Sequence, residues 1–172
     1  MKKQLFFLTM IFGAIVSNAQ DKLIEEQKFQ INTGFNVVDP NNMNNLYLGF
    51  DYKLDNELSV GINFSRNLDY YSTFGLTKIS NFGVELQTNF DWAKRLGINT
   101  KIWDFYTGFN IGILNQKIFF NEPSYTYTQN RLKIGGQIGV RYFVTKNWGV
   151  NVEFNSSNMQ QNPIRGGVSY KF

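Results

Sequence analysis

Residues 163–172 read Pro-Ile-Arg-Gly-Gly-Val-Ser-Tyr-Lys-Phe, with Ile164, Val168, Tyr170 and Phe172 on one parity and Arg165, Gly167, Ser169 and Lys171 on the other. Side chains in a strand point alternately to its two sides, so this stretch is a strand with one wholly apolar face and a C-terminal aromatic. In a soluble domain such a face at a chain end invites fraying and aggregation. As the closing strand of a barrel in a membrane it is at home.

The same alternation runs through the chain in segments of about ten residues, the length of a membrane-crossing strand. Phe29, Ile31, Phe35 and Val37 alternate with Gln30, Asn32, Gly34 and Asn36; Leu46, Leu48, Phe50 and Tyr52 with Tyr47, Gly49, Asp51 and Lys53; Leu58, Val60, Ile62 and Phe64 with Ser59, Gly61, Asn63 and Ser65. A fourth segment covers Phe82 to Trp92, a fifth Trp103 to Ile113, a sixth Arg131 to Tyr142 and a seventh Trp148 to Asn155; residues 163–172 form the eighth. Asp55-Asn56-Glu57 and Thr145-Lys146-Asn147 are tight turns. Arg66 to Lys78 and Gln116 to Asn130, rich in Tyr, Asn, Ser and Thr, read as long loops. Between Ala93 and Ile102 the apolar phase reverses, which calls for a bulge or a short helical turn. Short turns at one end and longer loops at the other describe an up-and-down barrel of eight antiparallel strands, an all-β fold.

The N-terminus has the organisation of a secretory signal peptide: Lys2 and Lys3, an apolar run from Leu5 to Val16, then Ser17-Asn18-Ala19. That run is well short of the roughly 20 residues a spanning helix needs. The expected organisation is therefore a signal peptide over 1–19, a short periplasmic lead over 20–27 and a barrel over 28–172. Removing Lys2 and Lys3 takes the formal charge from +4 to +2, a balance that does not point to nucleic acid. Cysteine and histidine are both absent, which removes disulfides, zinc motifs and Ser-His-Asp triads. No metal or other cofactor is expected.

A secreted soluble barrel alternates equally well, and the composition of the polar face separates the two readings. Ten of the fifteen glycines fall on it, with Asn, Gln and Ser filling much of the rest, whereas a soluble exterior carries more Lys and Glu. A narrow lumen wants small residues. Tyr52, Trp92, Trp103, Tyr142, Trp148, Tyr170 and Phe172 gather at the turn-side ends of the apolar face, where an interfacial aromatic girdle lies. Charge is accordingly expected to be tolerated at Asn151, on the inner face, and not at Val152, on the outer one.

The chain resembles the small eight-stranded outer-membrane barrels, the OmpA transmembrane-domain, OmpX and OmpW-like group, and Val168, Tyr170 and Phe172 resemble their C-terminal assembly signal. The resemblance implies the outer membrane of a Gram-negative bacterium, termini in the periplasm, long loops outside, and outer-membrane lipid and the barrel-assembly machinery as partners. It leaves any extracellular partner unidentified. Ending at Phe172, the chain lacks the peptidoglycan-binding domain of full-length OmpA proteins, so a cell-wall tether is not expected.

Two functions are compatible with this pattern: a structural or surface-interaction protein with a largely plugged lumen, and a narrow channel or binder of small or apolar solutes. A lipid-acylating or deacylating enzyme is not expected without histidine. Glu85, Arg141, Glu153 and Arg165 are the lumen ion-pair candidates. If the last hairpin centres on Met159, Glu153 faces Arg165, and Arg141 lies diagonal to Glu153 on its other side, so that one carboxylate sits between two guanidinium groups. Tyr70, Tyr71, Tyr125 and Tyr127 are the loop contact candidates.

Overall fold

The computed structural model describes residues 27–37, 45–67, 70–71, 77–120, 125–158 and 164–172. The expected signal peptide, most of the lead, and the connections around 38–44 and 159–163 lie outside the described residues. The strands are β1 (Phe29–Val37), β2 (Asn45–Lys53), β3 (Leu58–Asn67), β4 (Tyr70–Tyr71), β5 (Thr77–Asp91), β6 (Trp103–Phe120), β7 (Tyr125–Phe143), β8 (Trp148–Ser157) and β9 (Ile164–Lys171). All but the two-residue β4 pair antiparallel with their chain neighbours, β3 with β5 included, and β1 pairs with β9 from Gln30↔Lys171 to Val37↔Ile164. The sheet therefore closes into an eight-stranded ring, and β4 is a short ladder on the outer end of β5.

The tight turns follow from their polar residues. Asp55 Oδ1 accepts the backbone N–H groups of Glu57 and Leu58, both at 2.7 Å. Thr145 Oγ1 accepts that of Trp148 at 2.9 Å. Between β5 and β6 the chain makes a turn closed by Leu96 N–H donating to the Trp92 carbonyl, 3.0 Å. Gly97 reverses it at φ 67°, a left-handed value that glycine adopts without penalty. Asn99 then holds the next turn through its side chain and its carbonyl. Ile98, Thr100 and Ile102 are thus turn residues, which explains the reversed phase.

One expectation is overturned at the far end. Residues 116–120 and 125–130 are strand, not loop: β6 continues to Phe120 and β7 begins at Tyr125, paired through to Phe120↔Tyr125. Tyr125 and Tyr127 are strand residues, and Tyr70 and Tyr71 form β4 against Lys78 and Ile79. Polar Thr/Tyr alternation reads as loop by composition, yet both residue types favour strands.

The barrel is inverted relative to a soluble protein. Seventeen polar or charged side chains are buried among the described residues against four hydrophobic ones, while Ile113, Leu132, Ile138, Val152 and Phe154 stand 49–58% exposed on the outer face. The aromatic girdle is continuous over part of the rim: Tyr52 meets Phe29 at 4.9 Å, Phe29 stacks on Phe172 at 5.9 Å, and Trp148 meets Tyr170 at 4.7 Å. Trp103 and Tyr142 form a second group at 4.7 Å. All lie at the end that carries the short turns and the described chain ends.

Phe172 N–H donates to the Phe29 carbonyl at 3.0 Å and its own carbonyl accepts from Phe29 N–H at 3.2 Å, so deleting Phe172 removes the last rung of the closing seam. Gel assays of heat-modifiable protein are expected to show less folded barrel, and unchanged amounts would remove Phe172 from the closure. Val152→Arg is expected to destabilise by about 2–4 kcal/mol in a folding titration into bilayers. The tolerance expected at Asn151 needs correction, because Asn151 is 4% exposed and its amide is engaged by Tyr47 and Ser169 at 2.7 and 2.8 Å. Asn151→Arg overpacks the lumen and is expected to cost about 1–3 kcal/mol in the same titration.

Candidate functional site

The chemistry of this molecule is concentrated in its lumen, which strand parity fills with polar side chains. Where the Tyr106 ring projects inward, the neighbouring strand offers a glycine, Gly139, at which a Cβ would collide with that ring. A Cβ at Gly167 would instead meet the backbone of Thr33 and Gly34.

Seven charged side chains are buried among the described residues, the carboxylates Asp51, Glu85, Asp104 and Glu153 and the cations Lys133, Arg141 and Arg165. Burial of an unpaired charge is prohibitive, and each of these has a partner. Arg165 on β9 is 2% exposed. Its Nη1 donates to Glu153 Oε1 at 3.4 Å and its Nη2 to Glu85 Oε1 at 3.5 Å. Glu153 is directly opposite Arg165 in the register of the last hairpin. Glu85 lies on β5, four strands away in either direction around the ring, so one guanidinium spans the full width of the barrel.

Arg141 does the same lower down. Its Nη1 donates to Asp104 of adjacent β6 at 2.8 Å, and its Nη2 to Asp51 at 3.1 Å; Asp51 sits on β2, which is diametrically opposite β7. The expectation that Arg141 flanks Glu153 is therefore corrected. The register does place it diagonal to Glu153, but its fork turns to Asp104 and Asp51. The second group on Glu153 is instead the Tyr106 hydroxyl, which donates to Oε2 at 2.8 Å, and the second cation on Glu85 is Lys133 at 2.7 Å. The planar five-donor guanidinium can serve two carboxylates at once, and Arg141 also lies over the Tyr106 ring at 3.9 Å.

Amides pack around the ionic groups. Asn32 donates to Asp51 at 2.8 Å and accepts from Ser169 at 2.7 Å, and Gln87 donates to Asp51 at 2.6 Å. Gln137 donates to Asn89 and accepts from Asn110 at 3.1 Å. Among the described residues the lumen holds a cavity of about 40 Å³ at the turn-side mouth, walled by Lys53, Asp91, Asp104, Arg141 and Lys171, and one of about 10 Å³ at mid-lumen between Tyr47, Tyr106, Arg141, Glu153 and Arg165. The second has room for about one water molecule.

Asp51, Lys133, Tyr47 and Tyr106 belong to this network and were not singled out from sequence, although their inward parity was legible. Of the surface candidates, Tyr125 and Tyr127 are 52% and 49% exposed, and Tyr125 stacks on Phe120 at 4.4 Å. The side chains of Tyr70 and Tyr71 lie outside the described residues. Val168, Tyr170 and Phe172 share the outward face of the last strand, with Val168 and Phe172 exposed.

Residues 6–172 match the outer membrane protein beta-barrel domain family. Among solved structures the chain is similar to the N-terminal beta-barrel domain of Pseudomonas aeruginosa OprF, with 10% identity, 86% of this chain and 98% of that one covered, and a TM-score of 0.65. It is similar also to the outer membrane protein OprG of the same organism (16% identity, 86% and 97% covered, TM-score 0.62) and to Ail, the attachment invasion locus protein of Yersinia pestis (14% identity, 84% and 97% covered, TM-score 0.52). At such identities the likeness is one of fold. No curated protein sequence matches the chain. A closed ring with an apolar outside and a charged inside, matched over nearly its whole length, settles the family: the chain belongs to the outer membrane protein beta-barrel domain family.

Proposed function

We propose that the protein is a plugged outer-membrane barrel that acts as a structural or surface-interaction element, displaying its outer end to the exterior of a Gram-negative cell after a signal peptide over 1–19 is removed. On this reading the termini are periplasmic, the barrel-assembly machinery inserts the chain, and no enzymatic role or nucleic-acid partner is involved. The observation that carries the proposal is the pair of arginines, Arg141 and Arg165, each joining diametrically opposed walls across a space with room for little water.

The outer end supports the interaction part of the reading. β8 leaves β7 at Gly135↔Ser157, so Tyr125 to Ile134 continue beyond that rung for about 30 Å of strand, backed by β6. This arm carries the exposed Tyr125 and Tyr127, residues of a type enriched at binding surfaces. Ail, named as an attachment protein, has a similar barrel. The alternative, a narrow path for small solutes, draws on buried polar atoms without a protein partner in the lumen, among them Glu85 Oε2, Asn63 Oδ1 and Arg165 Nε, which are positions ordered water serves.

Two linked measurements decide between them. In planar bilayers the unaltered barrel is expected to pass no sustained current; a steady open level would favour the channel. Glu153→Gln is expected to raise conductance and to destabilise the barrel by about 3 kcal/mol, the lower part of the range for breaking a buried pair, because Arg165 keeps Glu85. Adding Arg165→Gln is expected to recover part of that loss, with a coupling above about 0.5 kcal/mol in the double-mutant cycle. Zero coupling would remove the pair from the plug.

A further inference from the structure

The cavity of about 40 Å³ at the turn-side mouth of the lumen has the volume of about three water-sized positions. Among the described residues, two buried groups in its wall have no hydrogen-bond partner, the amide Nδ2 of Asn89 on β5 and the guanidinium Nε of Arg141 on β7. Both side chains are deeply buried, at 2% and 5% exposed, and both orphaned atoms are donors. The rest of each side chain is engaged: Asn89 Oδ1 accepts from Gln137, and the Arg141 fork holds Asp104 and Asp51. The acceptors in the wall are served as well. Asp51 accepts from Gln87, Asn32 and Arg141, and Asp91 Oδ1 accepts the Ala93 N–H at 2.8 Å. A buried donor left unpaired is costly, so what this cavity lacks is an acceptor.

The charge of the wall selects the kind of acceptor. Asp91 lies opposite Tyr106, two residues along β6 from Asp104, and the two carboxyl groups hydrogen-bond to each other. They cannot both be ionised in that contact, so the pair holds a proton and carries one negative charge. With Asp51 it faces three cations, Lys53, Arg141 and Lys171, while Lys28 and Glu57 at the rim offset one another. One positive charge is left over. Lys171 is placed for the same task, its Nζ held over the Phe143 ring at 3.6 Å from the ring centre. From this arrangement we infer that the turn-side mouth is a binding site for a small carboxylate, whose two oxygens take the Asn89 Nδ2 and Arg141 Nε donors. A carboxylate supplies the negative charge that the wall lacks, two acceptor oxygens for two donors, and a group of three heavy atoms for a space of that size. The mouth opens at the end that carries the chain ends, so in the proposed orientation the ligand arrives from the periplasm.

The test uses the full chain, isotope-labelled and folded into phosphatidylcholine nanodiscs, with folding of each variant checked by heat-modifiability. The Asn89 side-chain amide and the Arg141 Nε–H are followed by NMR during titration with acetate, with chloride and with methylammonium. Acetate is expected to shift both signals saturably, and the other two ions to leave them in place. N-acetyl-dialanine presents the same group at a chain end, and whichever of it and acetate saturates at the lower concentration identifies the source. Asn89→Asp keeps an acceptor for Gln137 and exchanges the orphaned donor for a carboxylate oxygen. Read at the Arg141 Nε–H, it is expected to weaken acetate binding roughly tenfold or more, the factor for one charge-assisted hydrogen bond. Lys171→Gln is expected to weaken it roughly fivefold, the factor for one well-placed ion pair. Lys171→Arg and Asp91→Asn leave the charge of the wall unchanged and are expected to retain binding, as is Lys101→Gln on the exposed turn between β5 and β6. Saturation by chloride or methylammonium at the same concentration, no saturable shift with acetate, or undiminished binding in folded Asn89→Asp or Lys171→Gln would each overturn the inference.

Discussion

Closure of the backbone ladder is the constraint on which everything else in this molecule depends. In hydrocarbon each unpaired N–H or C=O costs several kcal/mol, so a sheet survives there only without edges. The seam between β1 and β9 supplies that closure, with eight paired positions and a final exchange between Phe29 and Phe172. A ring of eight strands encloses just enough room for side chains. The lumen therefore has to be packed as a core is packed, with residues that parity has made polar.

That requirement accounts for the character of the interior. A polar core is stable only when its groups satisfy one another, and here amides fill the spaces between two ionic layers centred on Arg165 and Arg141. Each arginine binds a carboxylate on a neighbouring strand and another on the opposite wall, so the same contacts that neutralise buried charge also brace the cross-section. Gly139, opposite Tyr106, completes the packing by leaving room for the ring.

The two ends of the barrel differ for a related reason. At the terminal end, tight turns held by Asp55, Thr145 and Asn99 bring aromatic side chains into one interfacial belt. At the other end, β5, β6 and β7 run 15, 18 and 19 residues, longer than a bilayer requires. Their outer faces pass from apolar to polar, with Lys78 on β5, Lys117 on β6 and Asn130, Thr128 and Thr126 on β7.

How much of this was legible in the sequence depended on how local the cause was. Parity is local, so the alternating faces, the girdle from Tyr52 to Phe172 and the polar glycine-rich lumen could be read directly, and a hairpin centred on Met159 was enough to place Glu153 opposite Arg165. The extension of β6 and β7 was hidden because residues 116–130 have a loop's composition, and only pairing with a neighbour makes 116–120 and 125–130 strands. Arg141 could be assigned to the lumen but not to Asp51, and Arg165 not to Glu85. Those contacts cross the barrel, and which residues meet there is set by strand tilt and stagger around a closed ring. Sequence determined which side chains face inward; only the closed tertiary structure decided which of them touch, because heights on opposite walls are related through every register in between.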